Sequence, residues 1–290
     1  MTKVLSITPD FVKKHVTPRD QNSKKGDNGI VLVVGGSTLY HGAPLLASLS
    51  ALRAGADLVY TAVPKIIVNA VRSYSPNIIA LPMMDSSLTV GSANRLIKGL
   101  PKTPHTATLG MGMTISRPEA LNSLVKKLKE NGTKLILDAS ALIPQVLSEI
   151  SETETIITPH PGEFKRIFNE DVGASEKEII SMVSKMSVKH KIAIILKGRL
   201  NVISDKTGKV AAIKRPTPAM NVGGTGDVLA GLVAALYSRT DSAFDALALA
   251  VYFNGVAATI ATEKVGLHML ATDLIESIPY AMKPFDKTTD

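Results

Sequence analysis

The sequence predicts an α/β protein: a three-layer αβα sandwich with a mainly parallel central sheet. Three observations carry this. Short β-branched runs, IVLVV at 30–34 and IAIILK at 192–197 among them, are apolar at consecutive positions, as strands covered on both faces must be. Amphipathic stretches separate these runs, and parallel strands need such crossovers. No low-complexity tract, long linker or internal repeat interrupts the alternation, so one domain is expected over residues 1–290.

Taken in order, 30–34 is the first continuous apolar run and 43–54 the helix that returns from it. Strand 58–63 follows, then helix 65–73 and strand 77–81. Helix 118–131 opens on Pro118, which suits a first turn, and stops at Asn131-Gly132. Strands 134–138 and 155–158 precede a helix over 175–189 and the strand 192–197. Segments 202–204 and 210–213, joined by DKTGK, read as a hairpin added to the sheet. Helices over 227–239 and 243–263 close the pattern. The first of these places Leu229, Leu232, Val233 and Leu236 on one face, which anchors it in the core.

The chain has 290 residues and is 45% hydrophobic, enough for a sizeable core. It has no cysteine, which removes disulfides, thiolate zinc sites and cysteine nucleophiles. The N-terminus lacks an apolar stretch of signal-peptide length, and ALALAVYFNGVAATIA is broken by Asn254 and Gly255, so cytoplasmic residence without membrane attachment is expected. A formal charge of +8 favours anionic partners. The basic residues are scattered without aromatic interleaving, so nucleotides are expected rather than nucleic acid.

In parallel sheets ligands sit beyond the carboxyl ends of the strands, so the chemistry is sought in the loops there. In NVGGTGDVLAG, 221–231, glycines precede a helix start whose unpaired N–H groups and dipole attract anions. Thr225 or Asp227 could instead cap that start. A carboxylate beside an anion site also fits a base for an attacking hydroxyl, the second reading of Asp227. No Gly-Lys-Ser/Thr follows, and the spacing is not GxGxxG. Three more loops join it: GGSTLYHGAP after strand 30–34, TPHPGEF with His160 and Glu163, and Lys197-Gly198 at a strand end. His160 and Glu163 lie three apart, but no HExxH partner exists for a protein-held zinc.

Together and in this order, GGS…YxGA, GxG, TPHPGE, KG and GGTGDVLAG resemble the NAD(P)H-hydrate dehydratase family, built on the ribokinase-like fold. The similarity runs from about residue 24 to about 263. The resemblance implies a repair enzyme that phosphorylates the ring hydroxyl of hydrated NADH or NADPH from ADP, or less favourably ATP, and then expels phosphate. Asp227 would be the base, and Gly224, Thr225 and Gly226 the anion hole. Lys197, Gly198, Arg199, Leu200, Asn201 and Gly226 would hold the nucleotide. Ala43, Gly112, His160 and Asp227 would meet the hydrated dinucleotide. Related kinases carry Asn-x-x-Glu where this chain has His160 and Glu163, so magnesium is implied through phosphate and water, with Glu163 acting indirectly. The family is commonly tetrameric, and the fused epimerase domain common in it is not expected here, which leaves a separate epimerase as partner. Ser140, Thr114 and Asn201 depart from the family's usual DADAL, GxGxG and post-KG threonine.

Two other functions use the same motifs. A ribokinase-like kinase of a vitamin-precursor alcohol or sugar would share the glycine turn and aspartate, but His160 and the YxGA loop favour the dehydratase. A non-catalytic nucleotide-binding regulator would bind nucleotide without needing Asp227.

Overall fold

The computed structural model describes residues 4–289. In chain order it contains β1 (Val4–Leu5), α1 (Pro9–His15), β2 (Arg19–Asp20), β3 (Ile30–Val34), α2 (Gly42–Arg53), β4 (Leu58–Pro64), α3 (Val68–Tyr74) and β5 (Ile79–Met83). Then come α4 (Val90–Gly99), β6 (Thr106–Leu109), α5 (Pro118–Glu130), β7 (Lys134–Leu137), α6 (Leu147–Ile150), β8 (Thr155–Ile157), α7 (Pro161–Phe168) and α8 (Glu176–His190). The last third holds β9 (Ala193–Leu196), β10 (Leu200–Ser204), β11 (Val210–Lys214), α9 (Thr225–Tyr237), α10 (Ala243–Val265), α11 (Ala271–Met282) and β12 (Thr288–Thr289).

Ten strands form one sheet in the order β1-β11-β10-β9-β8-β7-β6-β3-β4-β5. All neighbours are parallel except β10, which runs antiparallel to β9 and β11 and makes the expected hairpin. Strand residues alternate between two cores. Val31 and Val33 face α1, α2, α9, α10 and α11, through Val12, Ala47, Leu232, Phe253 and Leu274. Ile30, Leu32 and Val34 face α4, α5, α7 and α8, through Leu96, Leu124, Phe164 and Met186. This is the expected three-layer αβα sandwich, and its sheet is apolar on both faces because both are covered.

The strands β1, β2, β6 and β12 were not expected from the sequence, and β5 is shifted. The segment expected at 77–81 pairs two residues later, because the Asn77 N–H donates to Ser75 Oγ at 3.3 Å and keeps that stretch in a turn. Its Pro82 is tolerated because β5 is an edge strand. The unpredicted β6 reads TATL. Its threonines look polar, but the Thr106 hydroxyl donates to the Ala234 carbonyl of α9 at 2.9 Å, which lets the strand be fully buried. Segment Ala243–His268 has the length and apolarity of a membrane span, yet α10 lies mostly inside the core against α9 and α11.

β3 fixes the position of the functional end. From β3 the chain builds outward through β4 and β5, then returns to β3's other side and builds outward again through β6, β7, β8 and β9. The strand order reverses at the β3–β6 seam, and the loops leaving those two strands must splay apart there. The Gly36 N–H donates across the seam to Met111 O at 2.8 Å.

Candidate active site

A cleft of about 1080 Å³ opens over that seam. Its walls are the loop after β3 (Ser37 to Ala43), Ser86 and Ser87 after β5, Gly112 to Thr114 after β6, Ala139 and Ser140 after β7, and Gly223, Gly224 and Asp227 at the start of α9. Every wall except the last leaves the carboxyl end of a parallel strand. Gly112 has φ +62°, and a Cβ there would lie 2.6 Å from that of Tyr40. Only glycine lets the two loops close to this distance.

The floor of the cleft is the start of α9. Gly224 holds the cap position at φ +94°, and a Cβ there would press on Leu46 and Ala271. No side chain caps the helix. The Thr225 hydroxyl instead donates backwards, to Met220 O at 3.0 Å and Val222 O at 3.1 Å, and so ties the turn to the preceding loop. The capping explanation of this motif therefore does not hold. The turn presents uncapped amide donors and the positive end of a 13-residue helix toward the cleft, as an anion cradle requires.

Beside the cradle three carboxylates surround one lysine. Lys197, which follows β9, places Nζ 2.5 Å from Asp138 Oδ1 and 3.9 Å from Glu163 Oε2. A Cβ on Gly226 would stand 3.4 Å from the same Nζ, so the ammonium lies against the first turn of α9. Burial opposes the charge on Lys197, but Asp138, Glu163 and Asp227 outweigh it and hold its pKa above the ordinary lysine value. Burial also pushes the Asp227 carboxyl up to about 7. Asp138 and Glu163 add to the rise, while Lys197 offsets part of it. A carboxyl that titrates near neutrality, next to an anion cradle, has the properties of a general base.

The sequence-predicted residues fall into two groups. Ala43, Gly112, Gly224 and Asp227 line the cleft together, and Thr225 and Gly226 complete the turn beneath it. His160 and the 197–201 segment are not among the cleft-lining residues. The His160 ring caps α7, with Nδ1 accepting from the N–H groups of Gly162 at 3.0 Å and Glu163 at 3.3 Å. Glu163 answers by accepting from the His160 N–H at 2.9 Å, and it lies buried beside Lys197. Gly198, Arg199 and Leu200 turn the chain from β9 into β10. Asn201 is buried and shapes that turn by accepting from the Gly198 N–H at 3.2 Å.

Asp138 and Arg166 were not singled out from the sequence. Asp138 accepts from the Thr158 hydroxyl at 2.7 Å as well as from Lys197. Arg166 of α7 donates to the carbonyls of Ala139 at 2.5 Å and Leu142 at 2.8 Å, holding a turn in which Ala139 has φ +50°. The available signal was an aspartate ending the otherwise apolar LILD.

Comparison with known proteins adds a family. The NAD(P)H-hydrate dehydratase family matches residues 31–280. The ADP-dependent (S)-NAD(P)H-hydrate dehydratases of Nitrosopumilus maritimus and Cenarchaeum symbiosum are each 47% identical to the chain. The alignments cover 97% of this chain and 98% of each relative. A crystal structure of the ADP/ATP-dependent NAD(P)H-hydrate dehydratase of Bacillus subtilis, co-crystallised with ATP and Mg2+, superposes with a TM-score of 0.85 at 26% identity. It covers 99% of this chain and 100% of its own.

Proposed function

The chain belongs to the NAD(P)H-hydrate dehydratase family, and from that premise we propose that it is a hydro-lyase restoring NADH or NADPH from the S-epimers of their hydrates, with ADP as phosphoryl donor. The observation that carries the reading is the pairing of an uncapped helix start with a carboxyl raised to about 7 in one cleft. The kinase and regulator readings are not favoured, because relatives spanning the whole chain are dehydratases.

In this mechanism the Asp227 carboxylate takes the proton of the ring hydroxyl as its oxygen attacks the terminal phosphorus of ADP and AMP departs. Backbone donors at Gly224, Thr225 and Gly226 stabilise the charge on the phosphoryl oxygens in transit. The Lys197 ammonium, against Gly226, adds a cation on the same side. Phosphate then leaves with the carbon–oxygen bond electrons, a proton is lost from the ring, and the double bond returns. Hydroxide is a poor leaving group and phosphate a good one, which explains the detour. Ala43 and Gly112, where the two seam loops meet, form a wall of the cleft against which the dinucleotide lies, and the 197–201 turn holds the nucleotide. His160 orients the start of α7 and meets the substrate through its exposed face.

Among the described residues no group of three or more metal-ligating side chains forms a protein cage, and Glu163 offers one buried carboxylate, so magnesium would enter with the phosphates and keep most of its waters. Glu163 would hold it through water or phosphate, and the ion when bound supplies neutralisation of phosphate charge. The proposal extends to a single cytoplasmic domain that assembles as a homotetramer and works with a separate epimerase. It carries no nucleic-acid or membrane partner.

The test is a phosphorus balance. With hydrated NADH and ADP, AMP, orthophosphate and NADH are expected in a 1:1:1 ratio by 31P NMR and absorbance. NADH formed without AMP would sink the mechanism.

A further inference from the structure

We propose that Asp138 is a positioning residue for this reaction: it parks the Lys197 ammonium beside the phosphate turn, so that the lysine meets the phosphoryl group already in place. The assignment rests on the dehydratase reading above and adds a residue to it.

Three adjacent strands build the arrangement. Asp138 follows β7, Thr158 follows β8 and Lys197 follows β9, so neighbouring strand ends deliver a carboxylate, a hydroxyl and an ammonium to one point. The Asp138 side chain is 2% exposed, so it works from behind the site rather than from its surface. One oxygen, Oδ1, accepts from both Thr158 at 2.7 Å and Lys197 at 2.5 Å. The threonine fixes the direction in which the carboxylate points, and the carboxylate fixes the lysine. Lysine otherwise carries a flexible four-carbon stem with many rotamers, and ordering it during the reaction would cost entropy. Glu163 is a weaker anchor. It stands 3.9 Å from Nζ, and its Oε2 is already taken by the His160 N–H. The ammonium so held lies against Gly226, within the turn that cradles the anion.

The test compares Asp138→Asn with wild type on hydrated NADH, ADP and magnesium. Asparagine keeps the size and the contact to Thr158 but loses the charge that holds Lys197. The expected result is a fall in kcat of about tenfold or more with KM for the hydrate within about twofold. A residue that merely supports the fold would lower Tm without this split between kcat and KM. In a Lys197→Gln background, Asp138→Asn should add no further loss in kcat. That double variant removes both partners of the Asp138–Lys197 pair together, so neither is left facing the other's vacant position as in the single one. A kcat within twofold of wild type for Asp138→Asn, or an independent multiplicative loss in the double variant, overturns the proposal. Wild type that fails to restore NADH overturns the dehydratase reading instead.

Discussion

Asp227 is a compromise between folding and chemistry. Its pKa is raised from 3.8 to about 7, first by burial and then by Asp138 and Glu163. The folded state therefore binds a proton that the unfolded chain releases, and this group's contribution to stability falls as pH rises from about 4 to about 7. The cost levels off above 7 at no more than about 4 kcal/mol, less what partial exposure screens. Asp227→Asn should consequently raise Tm at pH 8, raise it less at pH 5, and leave it unchanged below pH 4. A gain equal at all pH values would show that the carboxyl is not the source. The same substitution should lower turnover by roughly two to four orders of magnitude while nucleotide affinity stays nearly constant. In the wild type, kcat/KM should rise with pH and flatten above about 7, since only the ionised carboxylate accepts the hydroxyl proton.

The element that makes this chemistry possible is the first turn of α9. Its amides are free because Thr225 bonds backwards to Met220 and Val222 rather than capping forwards. Thr225→Ser keeps that hydroxyl and should stay close to wild type in activity. Thr225→Ala releases the turn and should lower kcat several-fold with a loss of about 1 kcal/mol of stability, readable in parallel urea titrations. Gly224→Ala is the severe change. It places a Cβ at φ +94° against Leu46 and should cost more than about 1 kcal/mol along with most of the activity. A Gly224→Ala variant of normal activity would mean that the turn does not hold phosphate.

Across the whole molecule, what was legible in the sequence was whatever local chemistry determines. Apolar runs gave β3 and β9, and the glycine turn gave the start of α9 within two residues. Ala43, Gly112, Gly224 and Asp227 do share one cleft. What the sequence concealed depends on distant neighbours. Thr106 of β6 is buried against a carbonyl that α9 offers 128 residues away, and Asp138 matters because Lys197 arrives 59 residues later. The net charge of +8 belongs to this scale too. It favours capture of anionic nucleotides, so KM for ADP should rise several-fold between roughly 0.05 and 0.5 M salt with kcat little changed. A salt-independent KM would confine the attraction to the phosphate turn. The most direct test of the central claim is recovery of reduced-nicotinamide absorbance from hydrated NADH with magnesium, comparing ADP, ATP and no nucleotide, with Asp227→Asn in parallel. Recovery with ADP, none without nucleotide and almost none with the variant is the predicted result. No recovery with either nucleotide, or full recovery with the variant, would contradict it.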